Sequence, residues 1–410
     1  MRYSQLPTLL QLMNTLPASF KLLGDDSSLS ALAENLRATA SSAEVERDLA
    51  ADTVDQLRGA KLFQLWRPTQ LGGLELSVRE GLEIIEELAR HDSSAAWNVQ
   101  ISSAVDLFGA WFPDDRAKQV FSGANILSGA LNPPFSAEPA NRDGVEGFTV
   151  TGRAAFASGV SHADFIVMLT LSDGGAPHLT MVPRADLTID RDSWRTLGMR
   201  ATGSSHIEAN GVFVRKSDIV PLAPRQSSGS AYGGQLYRMT IWPLVSALAA
   251  PALGVARACI DDFLELASFK TPFYTNTTLC NREVTQSQIA RAEATLGAAR
   301  AYFYAAIDAG WAEVESPGSW LSMKTKQTIQ LATCHAVEQA AEVVNLTYSL
   351  AGSSGFRQGK DPRSDMTLRF ERHLRDIYTM KQHAFISTSR FESVGKLMLG
   401  LETDWPFFPF

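Results

Sequence analysis

Between about residues 125 and 225 the chain abandons helical periodicity for short β-rich runs, and the helical pattern then returns; this change of period constrains the fold more than any single motif. The runs Phe148-Thr-Val-Thr-Gly, Phe165-Ile-Val-Met-Leu-Thr-Leu, His178-Leu-Thr-Met-Val and Gly211-Val-Phe-Val are separated by Gly, Asp and Pro. Because they alternate with turns and not with helices, they predict a compact β domain of about 100 residues, a barrel or sandwich.

On either side the pattern is helical. From Leu29 to Phe121, Ser41-Ser-Ala-Glu reads as a capping box, Leu82, Ile85 and Leu88 fall on one stripe, and Gly72-Gly73 marks a turn. After a Ser/Gly stretch from Gln226, helical patterns cover about 243–269, 285–311, 320–351 and 365–400 and predict a four-helix bundle. The expected organisation is mainly α with a central β domain: residues 1–125 helical, 126–225 β, 235–402 the bundle, and 403–410 an aromatic tail expected to dock on a groove, of this or a second subunit.

A chain of 410 residues, 45% apolar and 20% charged, can bury a large core. No apolar run is read as reaching the roughly 20 residues of a membrane helix, and Met1 to Phe20 lacks a signal-type core. Three cysteines without ligand spacing predict neither a disulfide framework nor a zinc site, which suits the cytoplasm. A net charge of -7 without a Lys/Arg cluster argues against nucleic acid or anionic membrane as the main partner. His162, His178, His206, His335 and His373 lack metal-like spacing, and His91 reads as a structural residue at a helix C-terminus.

Local strings add a resemblance. Leu62-Phe-Gln-Leu-Trp-Arg-Pro-Thr-Gln-Leu-Gly-Gly-Leu-Glu, Ile84-Ile-Glu-Glu-Leu-Ala-Arg-His-Asp-Ser-Ser-Ala-Ala-Trp and Thr196-Leu-Gly-Met-Arg-Ala-Thr-Gly-Ser-Ser occur in the order found in the acyl-CoA dehydrogenase superfamily, and the likeness runs from about Leu62 to Gly400. Gly198-Met-Arg-Ala-Thr-Gly-Ser is most similar to the two-component flavin-dependent monooxygenases, a group that includes p-hydroxyphenylacetate hydroxylase, dibenzothiophene monooxygenase and the indole oxygenases. The resemblance implies an acyl-CoA dehydrogenase-like fold: N-terminal helical domain, middle β-barrel or sandwich, C-terminal four-helix bundle.

A dehydrogenase removes an α-proton with a glutamate while hydride leaves to flavin. In the family that glutamate follows an Arg-Asp pair, here Arg375-Asp376, and its position is held by Ala384; the alternative position falls near Leu244, with no acidic residue from Trp242 to Cys259. Beside the vacated position stands His383, where the hydroxylase branch places a histidine against the flavin. The expectation is an imidazole on the last helix, near its ordinary pKa of roughly 6.5, that donates to a flavin C4a-hydroperoxide and moves a proton at neutral pH.

In Gly152-Arg-Ala-Ala-Phe-Ala-Ser-Gly, Phe156 matches the aromatic that packs on the flavin ring and Ser158 the hydroxyl at its N5 edge, and strand alternation would put both on one face. Asn132 before Pro133-Pro134 is either a flavin or oxygen contact or a turn residue; Trp194 and Ser204 are either flavin-pocket residues or core and turn. Lys270 and the loop Ala351-Gly-Ser-Ser-Gly, with Gly352 and Ser353, match phosphate contacts made between subunits, or serve as an ordinary helix connection.

The implied function is a monooxygenase that takes reduced flavin (FADH2 or FMNH2) and O2, from a separate NAD(P)H-flavin reductase and solution, to hydroxylate a small phenol- or indole-like aromatic, as a homotetramer or dimer. Two alternatives stand beside it: an acyl-CoA dehydrogenase or nitroalkane-oxidase-like enzyme with a relocated base, and a cofactor-free binding scaffold. No GxGxxG follows a strand, so NAD(P)H is not expected to bind here.

Overall fold

The computed structural model describes residues 26–224 and 229–410. The Met1 to Phe20 reading and the opening of the Ser/Gly stretch lie outside them. The first helices are α1 (Asp26–Glu46), α2 (Ala51–Gly59), α3 (Val78–His91), α4 (Ser93–Val105) and α5 (Asp114–Val120). The expected capping box at Ser41 is absent, since Ser41 to Glu44 lie inside α1. The reciprocal pair that starts a helix here is Ser77 with Glu80, at the head of α3. Asp92, extended between α3 and α4, accepts from the Ala95 N–H at 2.7 Å and so caps α4.

Of the thirteen residues of α4 only Ile101 is not buried. A helix covered on every side is a central one, and α4 touches α3, the sheet and the first helices of the C-terminal part.

The sheet comprises β1 (Leu127–Arg142), β2 (Val145–Ala157), β3 (Phe165–Leu171), β4 (Pro177–Pro183), β5 (Thr188–Asp190), β6 (Ser205–Arg215) and β7 (Ile219–Pro221), in the order β5-β6-β2-β1-β3-β4-β7. Only the β1/β3 pair is parallel. Phe135, Val150, Ile166, Val182 and Ile207 form a core of the sheet's own, and β4 reaches β6 across it, so the sheet curls into a barrel-like unit. All four β runs read from the sequence lie in these strands.

The remaining helices are α6 (Gln235–Arg238), α7 (Trp242–Ala247), α8 (Ala250–Phe269), α9 (Glu283–Glu313), α10 (Met323–Ala351), α11 (Phe370–Met380) and α12 (Ser389–Met398). Contrary to the sequence reading, Trp242–Phe269 is long and apolar enough to cross a membrane; its most apolar window is 89% buried inside the protein, as befits a core helix. The pattern at 365–400 is also not one helix: α11 stops at Met380 and α12 starts at Ser389. His383 therefore sits in the break and not on a helix. Ser387, Thr388 and Ser389 compete for backbone hydrogen bonds there, Ile386 turns inward to 2% exposure, and Gln330 Nε2 donates to the freed Phe385 carbonyl at 2.9 Å.

Asp376 of α11 ties the three parts together. Its carboxylate accepts from Ser93 Oγ on α4 and from the Met199 N–H of the β unit, both at 2.6 Å. Gly198 permits this approach, because a Cβ there would lie 2.3 Å from the Arg375 backbone.

Candidate active site

The break after α11 brings His383 against Trp97 of the helix α4. Its ring meets Trp97 edge-on at 5.7 Å and Phe385 at 5.7 Å on another side. Burial among these groups disfavours the imidazolium and pushes its pKa down to about 4, although the residue keeps some exposure. This corrects the expected titration near neutrality: at pH 7 the ring is neutral. The Phe385 N–H donates to Nδ1 at 3.3 Å, which leaves the ring proton on Nε2. His383 is thus built as a neutral hydrogen-bond donor.

From Trp97 a line of hydroxyls runs into the β unit. Trp97 Nε1 donates to Ser158 Oγ at 3.1 Å, Ser158 pairs with Ser204 at 2.7 Å, Ser204 pairs with Thr202 at 2.7 Å, and Thr202 donates to the Met199 carbonyl at 2.8 Å. A carbonyl only accepts, so the single hydrogen of Thr202 is committed to Met199. Ser204 must then donate to Thr202, and Ser158 to Ser204. With its hydrogen used and one lone pair taken by Trp97, Ser158 keeps one lone pair. It can accept one further bond and donate none.

Phe156 departs from the expected alternation. It has a left-handed backbone, φ +67°, at an irregularity in the β2/β6 register, and its ring is 63% exposed while Ser158 is buried. Such a φ is uncommon for a bulky residue and points to a functional constraint. The ring stands edge-on to Trp194 at 6.2 Å, and Trp194 is itself fixed through Nε1 to the Met199 carbonyl at 3.1 Å. Phe156 and Ser158 are therefore two surfaces reached by a bent strand end, not two residues on one flat face.

The structure brings His383, Ser158 and Ser204 together through Trp97, and Phe156 with Trp194. Trp97 ends one of the family-like strings, but its spacing offers no signal of a role, and only the long-range fold puts it between Ser158 and His383. The neighbouring Asn98 is likewise new. It is buried beside Gly159, and both its amide atoms are without a partner among the described residues. An exposed ring in a strained conformation, an acceptor-only hydroxyl and an unpaired amide fit the face and polar edge of a flavin ring.

Asn132 is exposed within β1, inside the β1/β3 register shift between Ala130 and Phe135, so it occupies a strand irregularity and not a turn between strands. Lys270 is buried and donates from Nζ to the Ala351 carbonyl and, at 2.9 Å, to Ser354 Oγ. The loop with Gly352 and Ser353 is thereby tied to the end of α8; Ser353 itself is exposed and Ser354, its neighbour, takes the bond. His91 closes α3 and pairs with Glu87 at 3.2 Å, but burial lowers its pKa, so it is held as a neutral ring and not as a helix-end cation. Among the described residues no group of three or more His, Cys, Asp or Glu is placed to hold a metal.

Beside Phe385 opens a cavity whose ten lining residues are all apolar, Leu131, Leu244, Phe385, Phe407 and Phe410 among them. Leu244, near which the resemblance puts one of the two positions of a dehydrogenase base, lies in this wall, whereas Ala384, the other, is exposed.

Residues 246–388 match the family described as acyl-CoA dehydrogenase, C-terminal domain. The chain is 26% identical over 385 residues to an indole-3-acetate monooxygenase of Acinetobacter baumannii, covering 91% of this chain and 94% of that protein. It is 27% identical over 248 residues to the oxygenase component of an FADH(2)-dependent resorcinol hydroxylase of Rhizobium sp., 57% and 59% of the two chains. In fold it is similar to XiaF from Streptomyces sp., solved with FADH2 and glycerol, at a TM-score of 0.83 and 21% identity over 97% of this chain and 99% of that one.

Proposed function

We propose, from the premise that the chain belongs to the acyl-CoA dehydrogenase superfamily and to its flavin-dependent monooxygenases, that it is the oxygenase component of a two-component system in which His383 and Ser158 serve the reaction. It hydroxylates an aromatic or heteroaromatic small molecule, with O2 as co-substrate. The observation that carries the reading of the site is the directed line of hydroxyls ending at Ser158, joined through Trp97 to the neutral donor His383.

A reduced flavin, when bound, supplies two electrons to O2, so that one oxygen atom enters the substrate and the other leaves as water. The residues of the chain do the rest. Phe156 and Trp194 flank the ring site, and Ser158 offers its remaining lone pair to an N–H donor, which suits the reduced ring's N5–H and not the bare N5 of the oxidised ring. Asn98 has an unpaired donor and acceptor for the polar edge. His383 holds its proton at Nε2 and donates a hydrogen bond toward the oxygen being transferred. Trp97 holds Ser158 and packs on His383, and apolar walls exclude water, which limits loss of oxygen as hydrogen peroxide. The resemblance puts a dehydrogenase base at Ala384 or near Leu244, and neither of these side chains can take a proton, which supports the hydroxylase over the dehydrogenase reading.

In this scheme a separate NAD(P)H-flavin reductase supplies the reduced flavin, the assembly is a homotetramer or dimer, Lys270 with Gly352 and Ser353 lies near the flavin phosphates, and the enzyme works in the cytoplasm. The test is hydroxylation by the pure protein given oxygen and prereduced flavin. Hydroxylated product with near-stoichiometric use of flavin is expected; hydrogen peroxide alone, across a panel of phenols and indoles, would overturn the reading.

A further inference from the structure

We propose that Asp376 is the positioning residue of the flavin site: by holding the Met199 backbone and Ser93 at once, it fixes both ends of the hydroxyl line and with them the preference for the reduced ring. The inference rests on the hydroxylase reading above and goes on to say what sets the direction of the line.

The direction depends on one carbonyl. That of Met199 accepts from Thr202 Oγ1 at 2.8 Å and from Trp194 Nε1 at 3.1 Å, so it commits the hydrogen of the last hydroxyl and also fixes the ring that flanks Phe156. Where the carbonyl points is decided at Met199 itself, whose φ of +54° is left-handed, a conformation uncommon outside glycine. It persists only where the surroundings hold it. The peptide unit before it is held at both ends: Thr196 Oγ1 donates to the Gly198 carbonyl at 2.7 Å, and the Met199 N–H donates to Asp376 Oδ1 at 2.6 Å. The Gly198 N–H donates to Thr379 Oγ1 at 3.0 Å, one turn further along α11.

The other oxygen, Oδ2, accepts from Ser93 Oγ at 2.6 Å. Ser93 opens α4, and Trp97 follows four residues later on the same face of that helix. Trp97 Nε1 is the donor to Ser158. One buried carboxylate therefore reaches the Thr202 end of the line through Met199 and the Ser158 end through α4. A backbone N–H cannot become an acceptor, so the feature required at Oδ1 is an acceptor in that place. An amide oxygen would supply it, and an apolar side chain would not.

The experiment uses the full chain and two readouts: hydrogen exchange of residues 196–204 in the flavin-free protein, and the preference for reduced over oxidised FAD, measured without oxygen as a ratio of Kd values. Asp376→Leu is expected to speed the exchange and to cut the preference about tenfold, whereas Asp376→Asn, which keeps the acceptor, should stay within about threefold of the wild type. Because Asp376 acts through the line, Asp376→Leu combined with Thr202→Val should also lose about tenfold, and not the roughly hundredfold of independent effects. Asp262→Asn is the control for stability alone. Asp262 holds the same helix elsewhere, through Arg369 at 2.6 Å and His373 at 3.0 Å, so this variant should lower Tm and leave the preference as it was. If the leucine variant does not fold, Ser93→Ala removes one of the two bonds and should cut the preference about threefold. An unchanged preference in the folded leucine or Ser93→Ala variant, additive losses in the double variant, or an equal loss in Asp262→Asn would overturn the assignment. Faster exchange at residues 196–204 on losing the carboxylate, in a protein that binds both flavin states alike, would support the hold on Met199 and count against the hydroxylase reading.

Discussion

The two sides of His383 are built from opposite materials. Toward Trp97 the surroundings are polar and directional: each hydroxyl from Ser158 to Thr202 has its hydrogen assigned by the next, and the line ends on a carbonyl. Toward Phe385 they are apolar and without direction, a cavity of leucines and phenylalanines. Hydrogen bonds distinguish protonation states, which differ by one atom, whereas an apolar wall distinguishes only size and charge. The first side suits a cofactor that must be recognised in one redox state, and the second keeps water and charge away. His383 is the group that belongs to both, so substitutions there should have the largest effect.

His383→Ala removes the donor at the junction. Product per flavin should fall about 100-fold, with the missing oxygen recovered as hydrogen peroxide, an effect in the range of one positioned donor or acid. His383→Gln separates two roles. Its amide N–H can replace a hydrogen bond but cannot pass a proton, so substantial recovery is expected if the neutral ring acts only as a donor. A glutamine variant as inactive as alanine would show that proton transfer is required.

A smaller effect should follow from reversing the polar side without touching His383. Thr202→Val keeps the shape and removes the acceptor to which Ser204 donates. Ser204 is then free to donate to Ser158, whose own hydrogen becomes available to the ring site. The preference for reduced over oxidised flavin, measured as a ratio of Kd values, should fall about tenfold, the equivalent of one hydrogen bond of about 1.4 kcal/mol. An unchanged ratio would mean that the direction of the line does not reach the cofactor.

The sequence made the architecture legible where local period and composition agree, as in the strand β3 or the stripe of Leu82, Ile85 and Leu88 on α3. It failed where a tertiary requirement overrides a local pattern. Ser41-Ser-Ala-Glu satisfies the capping formula but lies within α1, because helix starts depend on what precedes the cap as well as on the cap itself. The 365–400 stretch keeps a helical period through residues 381–388, and the break appears only because Phe385 and Ile386 turn toward the core and Gln330 satisfies the freed carbonyl. His383 and Ser158 were readable as candidates by motif. The direction of the hydroxyl line was not, since it requires the carbonyl of Met199 to face Thr202, nor was the left-handed Phe156, which breaks the alternation used to place it.

The smallest expected effect concerns pH and tests whether the apolar side really is dry. The folded pKa of His383, about 4, lies below its ordinary 6.5. As pH falls from 6.5 toward 4, the unfolded chain takes up a proton that the folded ring refuses, so the stability present above pH 6.5 is progressively lost. Asp376 acts with the opposite sign: burial raises its pKa from 3.8 to about 6, so the folded chain takes the proton first and gains stability over the same window. Asp106, also raised to about 6 by burial, adds to Asp376, while His91 and His373, lowered by burial, add to His383. The total curve therefore mixes both signs, and a difference curve is needed to isolate one group. Glutamine at position 383 does not titrate, so the Tm of His383→Gln minus that of the wild type should rise between pH 6.5 and 4. The expected rise is about 1 °C, from about 1 kcal/mol left once the ring's partial exposure is allowed for, in a chain of this size. Product coupling in the wild type should stay flat down to about pH 5, since the neutral donor persists. A flat difference curve would mean that the ring titrates as an ordinary solvated histidine, which would put water on both of its sides and remove the contrast between them.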